Sequence, residues 1–258
     1  ICRDHIVFLN DWLEDSEVIR FDLLTGEKTI IDAGYPLLFS NAGETLPLHV
    51  SPDHSYLLNL CNDNGSVKAL LIRADTDERI LIPTEVGVNA DFCLGDSTVI
   101  CAGERGMEVF DYRGEKLYEI SYTGDKAVSI SSYKDDIYAV YPDETLKVYR
   151  NGKPIRTISI TSDKKDYLTV EDFRFLFKEN RLYLFYNFSV DIIDLDSDSS
   201  RPLSTVLKGA LTITDDNRIV VYSYDVSKEN VLYYPAVFTQ YSSSELIARG
   251  KAIAGRMR

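Results

Sequence analysis

The stretch 46–83, LPLHVSPDHSYLLNLCNDNGSVKALLIRADTDERILIP, most constrains what this chain can fold into. Four short runs with the alternation or continuous apolarity of β-strands are separated there by turn signals. Asn64-Gly65 is a strong signal, because both residues tolerate the positive φ that a two-residue hairpin turn requires. Four antiparallel strands in about 40 residues is the period of a propeller blade. The stretch therefore predicts one four-stranded blade.

Weaker copies of this blade fill most of the remaining chain and give six repeats. Their turns between first and second strands align as Arg3-Asp4, Asp53-His54, Gly95-Asp96, Lys134-Asp135, Glu179-Asn180 and Asp216-Asn217. The first repeat begins at its second strand, 6–10, and the last has its third and fourth strands at 230–234 and 237–241. We expect an all-β, six-repeat β-propeller of four-stranded antiparallel blades over residues 1–241. Its closure needs a further strand, from residues 1–3 or from the segment after Tyr234.

The last residues, 242–258, have a helical pattern. The segment SSSE at 242–245 is a capping box, in which serine caps the first turn and glutamate bonds back to it. One stripe of the helix would hold Leu246, Gly250, Ile253 and Met257. The sequence predicts a short amphipathic C-terminal helix that leaves the propeller. The chain has no initiator methionine, so we expect it to be part of a longer protein.

The composition supports a chain rich in strands and argues against two classes of partner. The 258 residues are 45% hydrophobic, with 17 Tyr and 11 Phe but only 2 Met, which favours strands over helices. The formal net charge of −13 argues against a nucleic acid, because binding its phosphates needs clustered lysine and arginine. No run approaches the roughly 20 apolar residues of a membrane span. We therefore expect neither a nucleic-acid nor a membrane partner.

The blade period and the turn Ser51-Pro52-Asp53 resemble those of WD40-type propellers. The Gly-His and Trp-Asp dipeptides of that family are missing, and the single tryptophan is Trp12. The tail at 244–256 is similar to the helix that follows the propeller in large bacterial signalling proteins. In those proteins an NTPase, TIR or protease-like module precedes propeller repeats that act as a sensor or interaction region. The resemblance implies a bacterial, cytoplasmic module.

Two groups of residues are candidates for metal ligands. The four cysteines, which lack the C-x2-C spacing of zinc sites, are Cys2, Cys61, Cys93 and Cys101. We expect them to be reduced structural thiols. Alternating aspartates at 194–198 resemble a calcium loop, but Ser199 and Thr205 replace the glycine and glutamate that such a loop needs. We expect no cofactor and no metal.

The three histidines are His5, His49 and His54. A serine hydrolase needs a histidine oriented by a carboxylate beside a positioned nucleophile, and no G-x-S-x-G elbow is present. His49 lies on a predicted first strand, which would line the central channel, and we expect it to pack or hydrogen-bond there. The glycosylation sequons at Asn64 and Asn187 fall on predicted hairpin turns, where turn formation explains them. No catalytic residue is expected.

Charge is distributed unevenly between the two predicted faces of the propeller. Loops joining second to third strands share one face with the loops joining successive blades, and these loops have an excess of acids. The opposite face mixes acids with many lysines and arginines. Trp12, Tyr35 and Phe39 fall on the acidic side, where they either anchor a partner or, for Tyr35 and Phe39, pack between the first two blades. The predicted partner-binding residues are Trp12, Tyr35, Phe39, Asp11, Glu14, Asp63, Asp143 and Glu144.

The sequence thus predicts a non-catalytic scaffold or sensor module that binds a protein or peptide with a basic surface. The alternative is a propeller enzyme or a carbohydrate-binding propeller with its site at the mouth of the channel. An enzyme or sugar site would place convergent carboxylates, histidine or stacked aromatics around the channel, whereas a scaffold would have its features on the rim. The oligomeric state stays open.

Overall fold

The structure is a computed structural model that describes residues 5–10, 17–31, 34, 49–84, 91–134, 136–160, 173–186, 189–197, 199–202, 210–213, 218–225 and 232–239. Within these residues the chain forms 22 β-strands in six antiparallel sheets, which we call sheets A to F in chain order. Sheets B to E have four strands each, and sheets A and F have three.

The strand bounds are as follows. Sheet A contains β1 (His5–Asn10), β2 (Glu17–Asp22) and β3 (Lys28–Ile31). Sheet B contains β4 (His49–Val50), β5 (Tyr56–Asp63), β6 (Ser66–Arg73) and β7 (Arg79–Ile82). Sheet C contains β8 (Asp91–Leu94), β9 (Thr98–Ala102), β10 (Gly106–Asp111) and β11 (Lys116–Ser121). Sheet D contains β12 (Ser129–Tyr133), β13 (Asp136–Tyr141), β14 (Thr145–Arg150) and β15 (Lys153–Ser159). Sheet E contains β16 (Phe173–Lys178), β17 (Arg181–Tyr186), β18 (Ser189–Asp194) and β19 (Ser200–Pro202), and sheet F contains β20 (Ala210–Ile213), β21 (Arg218–Asp225) and β22 (Leu232–Thr239).

Each sheet is a meander, because every strand pairs with the next one along the chain. Tight turns make this possible. Asn64 and Gly65 have φ angles of 51° and 86°, and Asn151 and Gly152 have 49° and 77°. Asparagine and glycine adopt these left-handed conformations readily, whereas most residues are strained by them. The hairpin predicted from Asn64-Gly65 is confirmed, and Asn151-Gly152 forms a second one.

The core lies between neighbouring sheets rather than within one of them. Along β5, Leu57 and Cys61 pack against Val18 and Ile31 of sheet A. The alternate residues of β5, Leu58 among them, pack with sheet C. Similar clusters join sheet C to sheet D and sheet D to sheet E. The continuous apolarity of the second strands follows from this arrangement, since both of their faces are covered, and each buried leucine contributes about 1.5–3 kcal/mol.

The first strands of sheets B to E lie closest to one another, with β8 between β4 and β12, and with β16 beside β12. The other strands follow outward in chain order within each sheet. This places the loops between second and third strands on one face and the turns between third and fourth strands on the other.

Sheet F differs from the prediction. The sequence suggested separate strands at 230–234 and 237–241, but Leu232–Thr239 is one strand that pairs with β21 over its whole length. Pro235 lies inside it, opposite Tyr222. A proline is tolerated in an edge strand, and in the described residues β22 pairs on one side only.

The predicted closing residues 1–3 and the predicted helix at 242–258 lie outside the described residues, so both stay predictions. Among the residues that the structure does describe, none forms a helix with the length and apolar character needed to cross a membrane.

Candidate protein-interaction face

The acidic face consists, in the described residues, of the loops between second and third strands of sheets B, C and D, residues 63–65, 103–105 and 142–144, together with the connection between sheets C and D at 122–128. The three hairpin loops carry Asp63, Glu104, Asp143 and Glu144 against Arg105. The predicted residues Trp12, Tyr35, Phe39, Asp11 and Glu14 lie outside the described residues. The structure therefore places three of the eight predicted partner-binding residues, and it brings them to one face.

The β5–β6 loop presents Asp63 through a local network of uncharged groups. Asn62 Oδ1 accepts the Gly65 N–H at 2.7 Å, which closes the turn. Asp63 Oδ1 accepts a hydrogen bond from Asn64 Nδ2 at 3.0 Å. Behind this loop, burial, with a contribution from the Asp63 charge, raises the pKa of the Cys61 thiol to about 11. The hairpin fixes the direction of the carboxylate without neutralising it.

The β13–β14 loop holds Asp143 in the same manner. Its Oδ1 accepts bonds from the Thr145 hydroxyl at 2.6 Å and from the Thr145 N–H at 3.2 Å. Glu144 adopts a positive φ of 61°, and its carbonyl accepts the Ile160 N–H at 2.8 Å. The last bond ties the loop to the chain that leaves sheet D, so this acidic loop is also braced by its backbone.

The basic residues of the opposite face are held differently. Arg73 pairs with Asp75 at 2.9 Å, Arg113 with Asp111 at 3.0 Å, and Arg150 with Asp136 at 2.6 Å. These cations are therefore compensated by acids nearby, whereas Asp63 and Asp143 bond uncharged groups. On the acidic face Glu104 is the exception, because it pairs with Lys126 at 2.5 Å.

A cavity of about 630 Å³ lies beside the β9–β10 loop. Among the described residues it is lined by Gly103, Glu104, Arg105, Gly106, Met107, Glu108, Lys116, Glu119, Ile120 and Ser121. Lys116 donates to Glu108 at 2.9 Å and to Glu119 at 2.8 Å, and these hydrogen bonds raise the pKa of the lysine. Lys116 follows a turn of the opposite face, but its ammonium group pairs with two carboxylates that line this cavity.

The interior between sheets C and D contains a polar cluster that the sequence did not reveal. Asp91, on β8, accepts bonds from the Ile130 N–H at 2.6 Å and the Ser129 hydroxyl at 3.0 Å, both on β12. Its other oxygen accepts the Phe92 N–H at 2.9 Å. Ser132, also on β12, donates to the Leu94 carbonyl at 2.9 Å. These bonds join two inner strands that belong to different sheets.

His49, on β4, contributes to this cluster electrostatically. Burial lowers the pKa of His49, and the Asp91 charge partly offsets that effect. Burial likewise raises the pKa of Asp91, against its hydrogen bonds and the His49 charge. Ser129 donates directly to Asp91, so the order of a serine–histidine–aspartate triad, in which histidine bonds the serine, is not formed by these three residues. The cluster braces sheets and has no arrangement for activating a nucleophile.

The remaining candidates for metal binding are Asp194 and the cysteines. Asp194 Oδ1 accepts bonds from the N–H groups of Asp196 at 3.1 Å and Ser197 at 2.9 Å, which makes it the cap of a turn. Cys61, Cys93 and Cys101 are free and buried. Within the part of the chain that the structure describes, no group of three or more His, Cys, Asp and Glu could hold a metal ion.

Comparison with solved structures places the fold among β-propellers. The WD40 β-propeller domain of Doa1 is 14% identical, with a TM-score of 0.57 over 93% of this chain and 80% of that one. KlHsv2 with loop 6CD replaced by a Gly-Ser linker is 10% identical, with a TM-score of 0.59 over 92% and 81%. BamB from Moraxella catarrhalis is 12% identical, with a TM-score of 0.53 over 84% and 69%.

No family model matches the sequence, and no curated protein matches it. The similarity to solved structures therefore concerns the fold, and at these identities it does not extend to ligands or activity. The WD40-like resemblance of the sequence is confirmed at that level. The chain is an all-β module with a β-propeller-type fold.

Proposed function

We propose that the protein is a non-catalytic interaction module whose acidic face binds a basic segment of another protein or a basic peptide. The observation that carries this proposal is the difference in charge compensation between the two faces. Asp63 and Asp143 bond uncharged groups on the acidic face, whereas the arginines of the opposite face pair with neighbouring carboxylates. The acidic face therefore presents negative charge to solvent.

A protein face whose charges share one sign mainly affects the association rate and the choice of partner. Its potential raises the local concentration of oppositely charged partners and speeds their association. Individual exposed ion pairs contribute only about 0.2–1 kcal/mol each, so affinity also needs apolar anchors. We assign that role to Trp12, Tyr35 and Phe39, with Asp11 and Glu14 extending the charged rim. Packing of Tyr35 and Phe39 between the first two sheets is the alternative for those two residues.

The structural comparisons support an interaction role. A chain of the Mitotic Checkpoint Complex matches with 8% identity and a TM-score of 0.52 over 92% of this chain and 76% of that one. In that complex, therefore, a chain with a similar fold is part of an assembly. We extend the comparison to this chain as a proposal: a scaffold or sensor region, spanning residues 1–241 with a helix at 242–258, within a larger cytoplasmic bacterial signalling protein.

A defined basic probe tests the acidic face. Fluorescein-labelled decalysine is titrated with the protein, and binding is measured by fluorescence anisotropy. From about 0.01 M to about 0.15 M salt the Debye length falls from about 30 Å to about 8 Å, so we expect binding to weaken across this range. A decaglutamate peptide of equal length should not bind.

Matched variants locate the binding. Replacing three acids of the acidic face, Asp63→Asn, Asp143→Asn and Glu144→Gln, should weaken decalysine binding about tenfold, since three ion pairs at about 0.5 kcal/mol each sum to that factor. The control removes the same charge from the opposite face through Asp75→Asn, Glu115→Gln and Asp196→Asn, and it should leave the affinity within about twofold. Equal losses from both triple variants would attribute binding to net charge and overturn the proposal.

The channel alternative rests on the convergence of His49, Asp91 and Ser129 on the inner strands. That convergence favours a ligand site less than it favours a brace, because Asp91 already accepts hydrogen bonds from Phe92, Ser129 and Ile130. We therefore assign partner binding to the acidic face. The cluster of His49, Asp91 and Ser129 serves the stability of the fold.

A further inference from the structure

The turns that lead into the outermost strands of sheets A to E, which we call the outer turns, are structurally equivalent. In four of them the residue that ends the preceding strand donates its N–H to a carbonyl across the turn. These bonds are Asp22 to Glu27, Arg73 to Glu78, Asp111 to Glu115 and Asp194 to Ser199, at 2.8–2.9 Å. The outer turns can therefore be compared position by position along the chain.

The outer turns of sheets B to E contact the sheet before them. Ala74 is buried against sheet A, and its carbonyl accepts a bond from Arg20 at 2.7 Å. Leu195 is buried against sheet D, and its carbonyl accepts a bond from Arg156. In sheet C, Tyr112 lies against Tyr56 of sheet B, with ring centroids 4.4 Å apart. In sheet D, a Cβ at Gly152 would meet the Tyr118 ring of sheet C at 3.2 Å. Apolar packing and an arginine recur at these junctions.

Sheet A breaks this pattern. Leu23, the equivalent of Ala74 and Leu195, is 46% exposed, and Leu24 beside it is 80% exposed. Phe21 and Ile30, at 36% and 52%, lie on the face of sheet A that points away from sheet B, since they alternate with Val18 and Ile31. These four residues, which we call the sheet A rim, are more than half of the seven exposed large apolar side chains in the described residues. An apolar cluster of this kind marks a contact surface.

The sequence after sheet F contains the residue types found at the junctions between the other sheets, namely apolar residues and arginine. β22 is the third strand of its sheet and ends at Thr239, the position that precedes the outer turn in sheets B to E. Residues 240–258 contain Leu246, Ile247 and Ile253 together with Arg249 and Arg256, that is, apolar side chains beside arginine. In a ring, sheet F precedes sheet A as sheet A precedes sheet B.

We propose that residues 240–258 dock on the sheet A rim and cover Phe21, Leu23, Leu24 and Ile30. The segment then holds the last sheet against the first, with an arginine at the Leu23 carbonyl as at Ala74 and Leu195. This contact is independent of the acidic face, because it uses the opposite face of the sheets and an apolar surface.

Cysteine cross-linking tests the contact. In a Cys2→Ser background, Leu24→Cys is combined with Leu246→Cys or with Ile253→Cys and treated with a short bismaleimide. The native Cys61, Cys93 and Cys101 are at most 7% exposed, and burial raises the pKa of each, so they react slowly. In the matched control, Leu117→Cys on β11 replaces Leu24→Cys in the same two pairs. Leu117 is 51% exposed but belongs to sheet C, two sheets along the chain from the sheet A rim.

We expect an intramolecular cross-link, identified by peptide mass mapping, for Leu24→Cys and none for Leu117→Cys. Cross-linked dimers joined through Leu24→Cys would assign the rim to a second copy of the chain, and equal reaction of both positions would show no docking; either result overturns the proposal. A double-mutant comparison gives a second readout in the same full chain. Leu24→Asp should lower the Tm of the wild type, and most of that loss should vanish in an Ile253→Asp background; an undiminished loss would contradict the contact.

Discussion

Asp91, at the junction of sheets C and D, and Asp63, on the acidic face, carry the same carboxylate in different surroundings. Asp91 is half-buried and accepts three hydrogen bonds, two of them from another sheet. Asp63 lies at the end of a hairpin and accepts a bond from the neighbouring Asn64. The donors of Asp91 join two sheets, whereas the donor of Asp63 belongs to the same hairpin turn. Acids of this chain are therefore assigned to structure or to binding by the donors that they engage, not by sequence position.

Removing the Asp91 carboxylate should have the largest effect on stability. Asp91→Ala leaves the Ile130 N–H without its acceptor in a tightly packed junction, at a cost of about 2–4 kcal/mol. Asp63→Ala removes a half-buried carboxylate whose hydrogen bond comes from the neighbouring Asn64, so it should cost less, about 0.5–1 kcal/mol. Urea unfolding of both variants measures the difference. Similar losses at the two positions would erase the distinction between structural and surface acids.

The backbone beside the acidic face has its own structural demand, at Gly106. A Cβ at this position would lie 2.2 Å from the Ile120 carbonyl oxygen, so Gly106→Ala must push β10 away from β11. We expect a loss of about 1–3 kcal/mol. The control is Gly124→Ala in the connection between sheets C and D, where a Cβ would meet no atom within 4 Å. If both alanine variants unfold at the same urea concentration, the close approach of β10 and β11 is not real.

His49, in the interior cluster, should contribute a pH dependence of stability near neutral pH. Burial lowers the folded-state pKa of His49 below its ordinary value of 6.5. The unfolded state therefore binds a proton more readily between these two pKa values, and stability falls as the pH drops below about 6.5. Asp91 acts in the opposite sense at lower pH, because its pKa is raised and the folded state takes up its proton first.

Unfolding free energies measured on both sides of pH 6.5 test this sign. We expect the wild type to lose about 1 kcal/mol or less on acidification through this range, and His49→Gln to lose less than the wild type. The control variant is His54→Gln, which replaces an exposed histidine outside the interior cluster. A steeper slope in His49→Gln would reverse the assignment.

The local elements of the fold could be predicted because each is encoded by its own residues. Asn64-Gly65 and Asn151-Gly152 fix hairpins through their own backbone preferences, and the runs between them alternate with the strand period. Sheet F shows the limit of this reasoning. The pattern around Pro235 suggested two strands, but pairing with β21 carries one strand through the proline. Neighbouring strands, which the local pattern does not contain, decided the outcome.

The candidate site was predictable only in part, for a similar reason. The excess of acids in the loops follows from topology and sequence alone. The contact of Asp91 with Ser129 and Ile130 joins residues 38 and 39 positions apart in the chain, and nothing local marks it. The pairing of Lys116 with Glu108 likewise depends on the conformation of the long lysine side chain, which the strand pattern does not specify. Side-chain contacts between strands, within one repeat or between two, are the part that a strand pattern does not specify.

Hydrogen exchange in the presence of saturating decalysine shows which face the probe binds. We expect slower amide exchange in the loops 63–65, 103–105 and 142–144, together with the connection at 122–128. We expect unchanged exchange in the outer turns at 75–77, 113–115 and 195–197. Protection confined to the outer turns, or spread equally over both faces, would contradict a binding role for the acidic face.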